Sequence, residues 1–154
     1  MVSGPHSREA PGADSDAALR PARLIQSFAS TLGTGPATDL LRTREEAAAW
    51  LHTEDLLPPE VGLSNSDHAA LLRLRESIRD LLTAQADGRD DPDAAARLTR
   101  ALADGRLVLT VGPAGAVGLA SAARANYANV VATMAVAIAE AAATGAWPGL
   151  KVLP

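Results

Sequence analysis

From Ala128 to Ala143 the only polar side chains are Asn129, Thr133 and Glu140, within a stretch, 122–144, dominated by Ala and Val. A helix that is apolar nearly all round belongs inside its domain. Gly145 stands where the residue after a helix end would, and Trp147-Pro148 prevents continuation. The pattern predicts a long, buried C-terminal helix against which the rest of the chain packs.

Upstream, Leu24, Ile25 and Phe28 fall at i, i+1 and i+4 and predict a short amphipathic helix over 22–31, broken by Gly33, Gly35 and Pro36. Thr43 to Glu46 has the form of a capping box, in which the Thr43 hydroxyl accepts from the backbone at Glu46 and the Glu46 carboxylate reaches back. The helix it opens places Ala47, Trp50 and Leu51 on one face, and Pro58-Pro59 ends the segment. Ser64 or Ser66 offers the next N-cap, with Asp67 favourable at the positive end of the helix dipole. Leu71, Leu74, Ile78, Leu81 and Leu82 then form one core-facing stripe, and Arg75 and Arg79 share an adjacent face. Asp91-Pro92 is an N-cap followed by proline at the first helical position, opening a helix that ends at Gly105.

The period changes over 106–120. Leu107 and Leu109 alternate with Val108 and Thr110, and Val117 and Leu119 with Gly118 and Ala120, around a Gly-Pro-Ala-Gly turn. That is a two-stranded hairpin, and because a lone hairpin is marginal in water it is expected to pack on the helices. The fold class that follows is mainly α: a compact multi-helix domain with a β-hairpin before the long buried C-terminal helix. Residues 1–21 mix Pro, Gly, Ser and Asp and read as a flexible N-terminal tail, leaving 22–154 as one helical domain.

Composition narrows the function classes. A chain of 154 residues buries enough surface to hold one core without staples. Cysteine is absent, which removes disulfides, thiolate zinc sites and cysteine nucleophiles, and fits a cytoplasmic protein. The net charge of −4, with Lys151 the sole lysine, gives no basic stripe for tracking a polyanion, so direct DNA binding by this chain is disfavoured. The N-terminus lacks the apolar core of a signal peptide, and Glu140 with its small neighbours argues against a membrane span.

Candidate chemistry is sparse. His6, His52 and His68 lack the spacing of a metal pair and read as solvated, so no metal site is expected. The serines have no nucleophile-elbow context and the glycines of the VGPAG stretch no phosphate-loop spacing. With no acid/base pair, no catalytic residue is assigned and a non-enzyme is expected. The sharper hypothesis is a ligand pocket: Arg75 and Arg79, one turn apart, present two guanidinium forks to a carboxylate or phosphate, with Trp50 or Tyr127 as an apolar wall. The plainer reading makes the two arginines helix-packing ion pairs and the two aromatics core residues.

The order of these segments carries a resemblance. LIQSFAST, TDLLRTREEAAAWL, the LLRLRESIRDLL helix, a short fourth helix, the LVLTV hairpin, the Ala-rich helix and a final LKVLP resemble the ABATE domain, the N-terminal region of the CGNR zinc finger proteins, over about 22–154. Ser30 departs from the asparagine usual in that family's Phe-x-Asn-Thr. The resemblance implies the regulatory or sensory domain of a bacterial, stress-induced transcription regulator. It also implies zinc and DNA contact only through a C-terminal finger that begins Cys-Pro; Leu153 stands where that cysteine would, so no ligand set carries over and no cofactor is expected. A finger-less relative and a piece ending at the domain boundary both fit. The partners expected are a small-molecule effector and a second copy or related regulator, with no membrane. Alternative readings are a stand-alone small-molecule-binding protein and a protein-interaction or dimerisation module.

Overall fold

The structure, a computed structural model, describes residues 12–33, 38–122 and 126–152, with side chains in the first helix from Leu19 onward. Its elements follow the order α1 (Gly12–Ala29), α2 (Arg44–Thr53), α3 (Asn65–Ala86), α4 (Pro92–Leu102), β1 (Leu107–Val111), β2 (Val117–Ser121) and α5 (Tyr127–Ala143), closed by a 3₁₀ turn at Trp147–Gly149. The domain is predominantly α, as the apolar periodicity predicts.

Capping chemistry sets the helix starts. Thr43 accepts from the Glu46 N–H at 3.0 Å, while the Glu46 carboxylate takes Arg42 at 3.0 Å. At α3 the box is reciprocal: Ser64 Oγ accepts from the Asp67 N–H, and Asp67 Oδ2 accepts from the Ser64 N–H. Asp91 caps α4 through the Ala94 N–H, with Pro92 in the first turn. The end of α5 is the predicted one: Gly145 adopts φ 78°, its N–H bonds to the Ala142 carbonyl, and the Ala146 N–H bonds to that of Ala141. The same paired bonds close α2, where Asp55 takes the left-handed position at φ 56° and buried Leu56 returns to Leu51.

One stretch differs from the sequence reading. Residues 12–21, read as part of the tail, belong to α1, which runs unbroken through Pro21. Proline fixes φ near the helical value and forfeits one N–H bond, a cost that does not by itself stop a helix already under way. Of the α1 side chains described, from Leu19 onward, Leu19 is 44% exposed and Ala22 is buried. Residues 1–11 lie outside the described set.

The core joins Ile25 and Phe28 of α1, Leu51 of α2, Leu71, Leu74, Ile78 and Leu82 of α3, and Val130 and Met134 of α5, all fully buried. Helix α5 lies along α1 and also meets α4, β2 and the 3₁₀ turn, while α3 runs beside α4. In α5, Val130, Met134, Ala137 and Ala141 form one buried stripe, Val131 and Ala132 are buried beside it where Gly105 approaches, and Ala139, Glu140 and Ala142 are exposed at the far end. Among the described residues no helix is long and apolar enough to cross a membrane.

The predicted hairpin forms, with Leu109 opposite Leu119 and Val111 opposite Val117; its connection is one residue longer than the four-residue Gly-Pro-Ala-Gly turn, because Ala116 joins the loop. It joins α4 to α5 through Gly105, whose chain runs against the α5 backbone: a Cβ there would lie 3.0 Å from Ala132 N and Cα and 3.2 Å from Val131 C. Backbone atoms cannot move aside as a flexible side chain can. Gly105→Ala is therefore expected to cost about 1–3 kcal/mol through overpacking, read as a lower urea midpoint with unchanged m-value; an unshifted midpoint would show that the two backbones are not locked.

Candidate functional site

The residues singled out by sequence separate into different places. Arg75, on α3, is 4% exposed. Its Nη1 and Nη2 engage Asp39 Oδ1 and Oδ2 at 2.6 and 3.1 Å, Nη1 also meets Thr31 Oγ1 at 3.2 Å, and Nε meets Glu76 Oε1 at 3.2 Å. Arg79, one turn on, donates through Nη1 to the Ala29 carbonyl at 2.6 Å, the last residue of α1, where a cation suits the helix dipole. The two forks therefore grip the chain itself. Trp50 packs on Phe28 with ring centroids 5.8 Å apart and edges a shallow depression with Asp39 and Arg42. Tyr127 borders a separate hollow with Asp67 and Asp104.

Both described histidines depart from the solvated reading. His52 Nε2 lies 2.7 Å from the Val61 carbonyl and His68 Nε2 lies 2.8 Å from that of Leu41, and both rings are half-buried. A carbonyl only accepts, so each Nε2 carries the proton and donates. His6 lies outside the described residues. Among those described, no group of three His, Cys, Asp or Glu is placed to hold a metal ion.

A cleft of about 460 Å³ lies between α3 and α4. The five residues 87–91 link these helices, so they run as antiparallel neighbours. Arg73, Glu76 and Ser77 come from α3 at i, i+3 and i+4; Arg97, Arg100 and Asp104 come from α4 and the turn after it at i, i+3 and i+7. Leu72, Ala70 and Ala101 supply apolar lining. Three arginines against two carboxylates leave the lining with one excess positive charge.

Several of these charges are already committed. Arg97 holds Asp80 Oδ2 through both terminal nitrogens at 3.1 Å, and Glu76 faces Arg75. Ser77 Oγ donates to the Arg73 carbonyl at 2.8 Å. The guanidinium groups of Arg73 and Arg100 have no ion pair among the described residues. Two uncommitted guanidiniums beside an apolar lining suit a molecule with an anionic head and an apolar body. Tyr127 reaches this neighbourhood through Asp104, which borders both hollows. Burial, with Asp67 and Asp104 adding to it, pushes its phenol well above the ordinary range, so it stays a neutral hydroxyl.

The groove arginines were missed because a leucine stripe draws attention to the opposite face of α3. The usable signal was two polar columns, 73/76/77 and 97/100/104, on helices joined by a loop too short to let them part.

This geometry defines a mainly helical domain with one arginine-lined groove. The family model described as "Putative stress-induced transcription regulator" matches residues 22–145, and the chain belongs to this ABATE family. The match opens at Ala22, a buried residue of α1, and closes at Gly145, just past the end of α5. No curated protein and no solved structure matches the chain.

The Arg75–Asp39 pair makes a pH prediction. The Arg75 hydrogen bonds hold the Asp39 carboxyl below its ordinary 3.8, against the opposing effect of burial and helped by the Leu41 N–H. A depressed carboxyl contributes stability that is fully present above 3.8 and is lost as pH falls through the lower folded value. Asp39→Asn should cost about 2–3 kcal/mol at neutral pH. Its deficit against the wild type should shrink below pH 3.8. Denaturant titrations of both proteins across acidic pH test this, and a deficit constant with pH would remove the ion pair from the account.

Proposed function

We propose that this chain is a non-catalytic regulatory domain of a transcription regulator, and that its effector is a small organic anion held in the α3–α4 groove. The family description supports the regulatory part. The observation that carries the effector is the pair of uncommitted guanidiniums, Arg73 and Arg100, beside Leu72 and Ala101. Arg73 and Arg100 take the carboxylate or phosphate by charge-assisted bonds, and the apolar lining takes the body. Glu76 and Asp104 at the same lining disfavour a polyanion and favour a ligand that also carries a donor.

The reading needs no cofactor in this chain. It also places DNA contact elsewhere than on these residues, because a chain of net charge −4 gains little from phosphate neutralisation. Arg75 and Arg79, the first choice as ligand forks, serve instead as internal ties, since Asp39, Thr31, Glu76 and Ala29 occupy their donors.

A thermal-shift panel of benzoate, hexanoate, glycerol 3-phosphate and inorganic phosphate tests the site. A ligand at a hundred times its Kd adds about 2.7 kcal/mol, roughly 5–10 °C for a domain of this size. The double variant Arg73→Gln/Arg100→Gln is expected to keep its own melting temperature and lose the shift. A shift that survives in the double variant, or a panel that leaves the wild type unmoved, would turn the reading away from the groove.

A further inference from the structure

The hairpin presents an apolar face that nothing in the domain covers. Its register puts Leu107, Leu109 and Val111 of β1 on the same side as Leu119 and Val117 of β2. All five are exposed, from 40% at Leu107 and Leu119 to 66% at Val111 and Val117. The other side carries Val108 and Thr110, both exposed, with Gly118 and Ala120, both half-buried, on the strand that meets α5. Residues 107–122 contain no charged side chain at all. Exposed strands are normally guarded by lysine, proline or a covering element, and here the unguarded strands sit on one sheet.

We infer that this face is the dimer interface, and that its occupant is a second copy of the chain packed sheet on sheet about a two-fold axis. The patch is self-complementary: aliphatic side chains meet aliphatic side chains, and it offers no charge by which to select a charged partner. The five side chains expose on the order of 450 Å² per copy, at the upper end of what monomers leave open. Two copies bury roughly 900 Å² through them alone, and the exposed turn residues Pro113, Ala114 and Ala116 carry the total past the roughly 1,000 Å² expected of a specific interface. Charge fixes the orientation. Arg106 precedes β1, so hairpins pointing in opposite directions set each Arg106 beside the partner's uncharged turn and keep the two arginines apart. The central pair Leu109 and Leu119 then lies nearest the axis.

Sedimentation and light scattering on the whole chain read the outcome directly. The wild type is expected at twice the 15.8 kDa chain mass, and Leu109→Glu/Val117→Glu at the single-chain mass with its helical circular dichroism retained. Because the chain has no cysteine, Leu109→Cys supplies a second test that leaves the face apolar. Oxidation should link it into a covalent dimer, while Ala139→Cys, exposed on α5, should stay unlinked. A wild type that is monomeric at high micromolar concentration overturns the inference. So does a dimer that survives the glutamates, equal linking at both cysteines, or a wild type that leaves solution for neutral phosphatidylcholine vesicles, which would give the face to a lipid surface.

Discussion

The arrangement of this domain depends on one polar seam along α3. His68, Arg75 and Arg79, spaced by seven and four residues, reach the Leu41 carbonyl, Asp39 with Thr31, and the Ala29 carbonyl. Leu41, Asp39 and Thr31 belong to the connection between α1 and α2, and Ala29 is the last residue of α1. A guanidinium taken out of water costs several kcal/mol unless its donors are met. Arg75 meets that condition with four of its five N–H groups engaged, counting two bonds from Nη1 and one each from Nη2 and Nε. The seam therefore holds the described parts of that connection, where an isolated bridge pairs Leu32 with Asp39, and with them the approach of α1 to α3. Phe28, Thr31 and Leu41 are fully buried along that path because the seam holds it down.

Holding one side of α3 in this way leaves the other side for α4. The residues between seam and groove are few, and Glu76 belongs to both: its carboxylate accepts from Arg75, 3.9 Å from Arg79, while its stem edges the cleft beside Arg73. Glu76 is thus the residue through which the seam and the α3–α4 groove are physically joined.

Much of the fold was legible in local chemistry. Thr43, Ser64 and Asp91 mark helix starts, Gly145 marks an end, and the switch from a period near 3.6 to a period of 2 marks the hairpin. Each of these signals lies within a few residues of the bond it forms. Apart from Glu76, the partners of Arg75 and Arg79 lie 36 to 50 residues away, so helical spacing could show that the two arginines share a face but not that backbone and carboxylate already wait there. The histidines were misread for the same reason: a carbonyl acceptor has no sequence signature. The first turns of α1 were missed because their composition reads as tail-like.

The hairpin is the case where local and global logic disagree. A two-stranded ribbon is marginal by itself, and the side that carries Val108, Thr110, Gly118 and Ala120 buries little, since Val108 and Thr110 are exposed and Gly118 and Ala120 half-buried. The other side carries Leu107, Leu109, Val111, Val117 and Leu119 and leaves them 40–66% exposed. On β2 the phase sets Gly and Ala on the first side and Val and Leu on the second, while β1 sets Val108 and Thr110 on the first and Leu and Val on the second. Since a one-residue change of register would exchange the two faces, and the register is held by the Leu109–Leu119 and Val111–Val117 pairs, this phase is a property of the sequence itself. The small residues of β2 let it lie close to α5, and the aliphatic residues of the second side wait for a surface of their own kind.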